Sequence, residues 1–518
     1  MRRGNSVRWS WLALSSVLIT SFATNPSFSA REDSDINIGS RLELFVDHYL
    51  IGGMEGAGLK LHEPRQAEVA INMEGYGGYT VVIKDDRTYR MYYSSRGSQD
   101  TNQDNYVTRY AESTDGIHWT KPELGLFELY GTRANNVVEK QTLVSGGFSP
   151  FLDARPGVPA SERYKALGGI FASPTRPGLG GLLAFTSPDG IHWKQLGDKP
   201  VINSEWHYPH PTDTDLPAVF WSESESQYVC YPRVRMKSHG EFAHEDVYKT
   251  GYRWIGRTTS KDFVNWTKVV PMEYAPVEEF YHNQTHPYFR APHIYIALPT
   301  RFMGVPLNPG RHALDESQVK ELLSDPVNQG KAYESILAID IVDTVLLTSR
   351  GGNHYDRTFS EAFIRPGLDV RNWTNRANYS VLGVVPTGPA EMSIYMLHYP
   401  HFRTSHIRRY TLRTDGFVSV NAPYAGGEMV TKPFIFSGKE LVINYATSAP
   451  GGVRVEIRDK VGQPLPGYSL TDATEMIGDQ IERVVSWKGG SDLSKLAGKP
   501  IRLRFVMKDA DLYSIRFR

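Results

Sequence analysis

Carboxylates recur along this chain at one kind of place, beside short runs of aromatic and β-branched residues. Glu74 stands in the segment Asn72 to Tyr79, and Asp153 ends Phe148 to Asp153 ahead of Arg163 to Ala166. Asp213 and Asp215 precede Val219-Phe220-Trp221, Glu278 and Glu279 precede Tyr281, and Glu391 opens Glu391 to Tyr395. Each run reads as a strand, so each acid is expected at the leading end of one. Acids delivered by separate strands to one narrow space push each other's pKa values apart, leaving one protonated and another ionised. That is the requirement for breaking a glycosidic bond, where one carboxyl assists the leaving oxygen and another acts as base or nucleophile. Turn and strand-capping roles are the alternative for each acid taken singly.

A second cluster lies within twelve residues: His282, His286, Arg290 and His293, preceded by Tyr281. Histidine and arginine among aromatics suit recognition of hydroxyl, sulfate or uronate groups, or proton transfer. The spacing matches no known metal pattern, so no metal is expected. Glu361 is a further candidate for the binding surface. There is no nucleotide-binding glycine loop, no CxxC and no Gly-x-Ser-x-Gly elbow, and no cofactor is expected.

These residues must be held by a mostly β chain. Helical periodicity is confined to about residues 316–324, while aromatic and β-branched runs alternate with Asp-Gly, Gly-Gly and proline-rich turns. One motif repeats: Ser113 to Trp119 recurs as Ser187 to Trp193, more weakly as Ser260 to Trp266, and a degenerate copy ends in Asn372-Trp373. The first three tryptophans are about 73 residues apart, the mark of a repeating supersecondary unit. At that pitch, residues from about 65 to 420 hold five radial units, seven tighter ones being the alternative, and the tryptophan of each motif copy wedges between units. Beyond Pro423 the strands alternate cleanly, as in Leu441 to Tyr445, Val453 to Ile457 and Ile501 to Val506. This predicts an all-β protein, a five-bladed β-propeller (31–424) followed by a C-terminal β-sandwich (425–518).

Residues 1–30 read as a signal peptide. Arg2, Arg3 and Arg8 precede a short apolar stretch that ends in small residues. An exported location, periplasmic or extracellular, and no membrane association after cleavage are expected. With 57 basic and 57 acidic residues there is no bulk field to draw nucleic acid. Cys230 is the only cysteine, so no intrachain disulfide forms and stability must come from the core. Oligomeric state is left open.

The Ser-x-Asp-Gly-Ile-His-Trp hairpins with acids beside the strands resemble the five-bladed propeller glycosidases that include arabinanases, β-xylosidases, invertases and levansucrases. Arg290 to Ile296, Glu361 to Gly367, Arg409 to Phe417 and Lys508 to Ser514 resemble a largely uncharacterised group of exported bacterial proteins with that fold. The resemblance implies a base or nucleophile at Glu74 and a pKa-tuning acid at Asp153. The glutamic acid expected of the third unit is missing, where Asp213 and Asp215 stand, so Glu279 or Glu391 becomes the candidate acid. The reading is an exo-acting glycoside hydrolase whose partner is an oligo- or polysaccharide of plant or algal origin. Two rivals remain: a polysaccharide lyase using Tyr281 and His282 with Arg290, and a non-catalytic glycan-binding propeller.

Overall fold

The computed structural model describes residues 36–97, 106–169, 180–203, 216–236, 252–276, 278–303, 314–326, 341–374 and 376–518. The candidate signal peptide, Asp213 and Asp215 lie outside them. The described chain begins with strands β1 (Ile36–Gly39), β2 (Glu43–Leu44), β3 (Ile51–Glu55), β4 (Gly58–Leu61) and β5 (Arg65–Asn72). A first sheet follows, built from β6 (Tyr76–Asp85), β7 (Thr88–Arg96), β8 (Val107–Ser113) and β9 (Val137–Glu139) in simple up-and-down order. Its first turn closes on Asp86, which takes a left-handed φ of 50° that aspartate tolerates better than a branched residue.

The second sheet comprises β10 (Ser149–Leu152), β11 (Tyr164–Gly168), β12 (Gly181–Ser187), β13 (Lys194–Leu196) and β14 (Ile202–Asn203). The third holds β15 (Ala218–Ser222), β16 (Gln227–Tyr231), β17 (Arg233–Met236), β18 (Tyr252–Ser260) and β19 (Val270–Pro271). In the fourth, β20 (Glu279–Phe280), β21 (His286–Tyr288), β22 (Ala291–Ala297), β23 (Thr300–Met303), β24 (Ile341–Thr344) and β25 (Leu347–Ser349) form two three-stranded pieces along one chain course. The helix α1 (Glu316–Ser324) falls between β23 and β24, started by a capping box of Asp315 and Gln318. The fifth contains β26 (Asn378–Ser380), β27 (Val385–Pro386), β28 (Glu391–His398) and β29 (His406–Arg413), and its outer strand is β5 from the start of the chain.

The first strands of these sheets are neighbours in succession: β6 touches β10, β10 touches β15, and β15 touches β21. The ring closes where the Val82 amide donates to the Leu382 carbonyl at 2.8 Å, ahead of β27. Toward their trailing ends these inner strands enclose a mostly apolar cavity of about 460 Å³, lined by residues such as Val81, Phe151, Phe220, Leu382 and Val384. Sheets stacked face to face bury both sides of their strands, which is why β12 is buried along its whole length.

The three Ser-x-Asp copies have one local structure, each following the third strand of its sheet. In the first, Ser113 Oγ accepts from the Gly116 amide at 2.9 Å, and Asp115 Oδ1 accepts from the Ile117 and His118 amides at 2.8 Å. Ser187 with Asp189 and Ser260 with Asp262 repeat the arrangement. Trp119 meets Tyr395 of the fifth sheet edge-on, and Trp193 meets Tyr92 of the first, so these rings sit between sheets. The degenerate copy differs, since Asn372 and Trp373 lie on a short 3-10 turn.

The last sheet corrects the boundary read from sequence. It is ten-stranded and includes β30 (Val418–Ala422), β31 (Gly427–Thr431), β32 (Phe434–Phe436), β33 (Leu441–Asp459), β34 (Asp479–Val484) and β35 (Ile501–Phe517). It also takes in β1 to β4, which sequence reading had placed with the preceding sheets, and β30, which lies before residue 425. These short strands satisfy their backbone groups on β30, β31, β32 and β35. Tyr445, Val455, Leu503 and Phe505 lie in its core together with Phe45 and Ile51 from the beginning of the chain.

Candidate functional site

The polar groups that converge do so at the leading ends of the inner strands, around Tyr281. This residue follows β20, and its hydroxyl lies 3.1 Å from that of Tyr79 on β6. Its ring stacks on Phe302 of β23 and Tyr379 of β26, with centroids 5.9 and 5.4 Å away. The guanidinium groups of Arg233, Arg253 and Arg376 lie 5.5, 5.8 and 5.6 Å from the ring centre. Four of the five sheets therefore contribute to one cluster. Cation–π attraction and stacking hold the tyrosine without fixing its hydroxyl in a single bond.

Glu279 is the carboxylate of this cluster among the described residues. Its side chain is buried, and Oε1 accepts from the Arg253 amide at 3.0 Å and the Arg253 guanidinium at 3.4 Å. Oε2 is buried with no hydrogen-bond partner among the described residues. Burial raises its pKa, and the Arg253 amide bond with the charges of Arg253 and Arg235 offsets that only in part. A carboxyl so placed can hold a proton and release it. His282, beside Tyr79 and Tyr379, is buried with neither ring nitrogen bonded. Burial and the charge of Arg233 hold its pKa down at about 3, so the ring is neutral and offers one donor and one acceptor.

The other sequence candidates among the described residues do not join it. Glu74 stays with the first sheet: Lys121 pairs with it, Tyr93 donates at 3.3 Å, and Arg109 lies at 3.6 Å. Asp153 is at the trailing end of β10, where it accepts from Tyr228 at 2.7 Å and pairs with Lys165 at 3.0 Å. It is one of a series of struts between sheets. Asp85 at the end of β6 takes Tyr164 and Arg163, and Glu225 after β15 takes Tyr295 and Arg257. Sequence reading set Asp153 ahead of the run Arg163 to Ala166, which is β11, whereas the inner strand β10 ends immediately before it. Glu391 opens β28 as expected, but on the side of the ring where the inner strand β27 ends, and it is bound by Arg409 at 2.8 Å and Thr387 at 3.0 Å.

His286, Arg290 and His293 are likewise structural. His286 Nε2 accepts from the Val384 amide at 3.1 Å, tying β21 to the fifth sheet, and burial lowers its pKa to about 4. Arg290 bonds Asp415 and Glu482, each at 2.7 Å, and His293 lies 3.1 Å from Glu43. Both join the fourth sheet to the ten-stranded one, so the role of Arg290 in neutralising a uronate is not available to it. Glu361 is exposed. Among the described residues no three His, Cys, Asp or Glu side chains are placed to hold a metal, and no helix is long and apolar enough to cross a membrane.

Sequence reading missed Arg233, Arg253 and Arg376, together with Tyr79 and Tyr379. A signal existed for the first, because Arg233-Val234-Arg235 puts two arginines on one face of a strand whose neighbours are apolar.

No family model matches the chain. It is 29% identical over 149 residues to an uncharacterized protein of Mycobacterium tuberculosis (strain CDC 1551 / Oshkosh), covering 27% of this chain. A second, from strain H37Rv, is 28% identical over 148 residues. The chain spans 42% of the length of these curated relatives. Among solved structures, it is similar to a glycoside hydrolase family 43 arabinoxylan arabinofuranohydrolase from Bacillus subtilis in complex with cellotetraose. That likeness has 12% identity and a TM-score of 0.40, covering 86% of this chain and 96% of the other. A structure described as a glycoside hydrolase gives 12% and 0.44, over 68% and 92%. An N-acetylgalactosamine deacetylase from F. plautii in complex with blood group B trisaccharide gives 12% and 0.40, over 68% and 95%.

Proposed function

We propose that the protein is an exported glycoside hydrolase on a five-bladed β-propeller with a C-terminal β-sandwich, releasing units from the ends of plant or algal polysaccharide fragments. The observation that carries this reading is Glu279, a buried carboxyl with raised pKa and one unbonded oxygen, set among Tyr281, His282 and three arginines. Protonated, it gives its proton to the glycosidic oxygen as the bond breaks. A second carboxylate is required opposite it; the sequence offers Glu74, Asp213 and Asp215, of which Glu74 is engaged by Lys121 and Tyr93 in the first sheet and the two aspartates lie outside the described residues. Neutral His282 and the tyrosine hydroxyls orient sugar hydroxyls.

Glu279→Gln keeps the volume and removes the proton. Turnover on a panel of plant and algal oligosaccharides should fall by about a hundredfold or more, with the melting temperature maintained. Unchanged turnover would overturn the assignment. A second reading has its own support: the Tyr281 hydroxyl lies 3.1 Å from Tyr79 and 3.4 Å from Arg376, a setting for a tyrosine base acting on a uronate. A lyase leaves an unsaturated uronate that absorbs ultraviolet light, and a hydrolase does not. The absorbance of the product decides between them.

A further inference from the structure

A cleft of about 990 Å³ opens between the fifth sheet and the segment 364–372, and its lining includes no residue of the Tyr281 cluster. Its wall carries Arg365, Arg371, Arg403 and Arg408 against two carboxylates, Glu63 and Asp369. One of the two is already engaged: Asp369 accepts from Arg371 at 2.6 Å and from the Tyr399 hydroxyl at 2.6 Å. The Arg371 guanidinium in turn lies 4.1 Å over the Tyr399 ring. Arg365 and Arg403 stand exposed at the rim.

The interior of the cleft has polar groups left over. His406 is 7% exposed and lines the wall. Its Nδ1 lies 2.9 Å from the Thr404 carbonyl, which can only accept, so Nδ1 carries the hydrogen and Nε2 is a bare acceptor. That Nε2 has no partner among the described residues. His398 stacks beneath the ring at 5.3 Å and holds its orientation. Arg408 gives Nη1 to the Ala67 carbonyl at 2.8 Å, while its Nε and the Thr404 hydroxyl are unbonded. Buried polar atoms are seldom left this way unless something outside the chain completes them.

We propose that this cleft is a second binding site, for an acidic oligosaccharide. Arg408 and Arg403 meet the oxyanion, a carboxylate or sulfate, through charge-assisted bonds. His406 Nε2 accepts from a neighbouring sugar hydroxyl, a demand that inorganic anions do not meet. Both features together select a hydroxylated anion over a neutral glycan or a simple salt.

The test is calorimetric titration of the full mature chain, carrying Glu279→Gln to prevent turnover, with oligogalacturonate, a sulfated oligosaccharide, a neutral xylo-oligosaccharide and inorganic sulfate. Binding of at least one acidic oligosaccharide is expected, with the neutral one and sulfate at least tenfold weaker. Arg365→Glu with Arg403→Glu, both at exposed positions, should weaken that binding tenfold or more, and His406→Phe should weaken it severalfold. Absence of acidic-sugar binding, equal binding by the arginine variant, or sulfate binding as tight as the sugar would each overturn the proposal. Because the readout is binding, it stands apart from the outcome of the turnover experiment.

Discussion

Asp153 shows how a carboxylate's neighbours decide its task. It is buried against Lys165, itself 2% exposed, and accepts from Tyr228. With the Arg155 amide on its other oxygen at 2.9 Å, both carboxylate oxygens are engaged and the side chain presents no surface to a substrate. Asp153→Ala should therefore destabilise the protein by about 3 kcal/mol, because Lys165 loses its buried counter-ion and keeps only the part-exposed Glu162 at 3.0 Å. Urea midpoints should fall while turnover per folded molecule is retained. Loss of turnover at an unchanged midpoint would return Asp153 to the catalytic list. Glu279, by contrast, keeps one oxygen unbonded, and that difference between two buried acids separates strut from candidate acid. Residue type alone announced neither, since both are acids beside short apolar strands.

At the scale of the element, the Ser-x-Asp turn shows what a local segment can specify unaided. Serine and aspartate oxygens receive the amides of the next residues, so the bend forms wherever the motif occurs. Gly116 and Gly190 occupy its left-handed position with φ of 75° and 76°. The third copy puts Phe263 there, at φ 70°. An ordinary side chain in this conformation costs about 1 kcal/mol. The ring recovers more than that by packing on Phe151, Tyr228 and Trp266, at centroid distances of 5.7, 5.1 and 5.8 Å. Phe263→Gly should relax the backbone yet empty the space, for a net loss of about 2–3 kcal/mol in equilibrium unfolding. A stabilised variant would mean that strain outweighs packing.

For the whole molecule, the point of interest is the junction between the fourth sheet and the ten-stranded sheet. Glu43 on β2 meets Arg350 at 2.7 Å and His293 at 3.1 Å. Burial alone would raise its carboxyl, but the His293 bond and the charges of Arg350, His293 and Arg41 hold it at about 2, against an ordinary 4.5. The depressed value means stability that is complete above pH about 4.5 and lost as pH falls toward 2. The shift corresponds to about 3 kcal/mol. Glu43→Gln should lower stability near neutrality by that order and flatten its decline between about pH 4.5 and 2. A variant whose pH profile matches the parent would show that this carboxylate does not couple the two parts.

What the sequence by itself determined is local. The β character, the Asp-Gly turns, the helix at 316–324 and the three equivalent tryptophan motifs follow from hydrophobic period and side-chain-to-backbone bonds spanning a few residues. What only the tertiary structure decided is which end of a strand an acid occupies and what stands opposite it. Arg290 finds Asp415 125 residues away, His293 finds Glu43 250 residues away, and Tyr79 meets Tyr281 across 202. Charge pairing depends on distance in space, and a strand displaced by a few residues carries its carboxylate from one end of the ring to the other. β1 to β4 pair far from their sequence neighbours for the same reason: unpaired backbone groups are satisfied by whichever edge the completed fold presents.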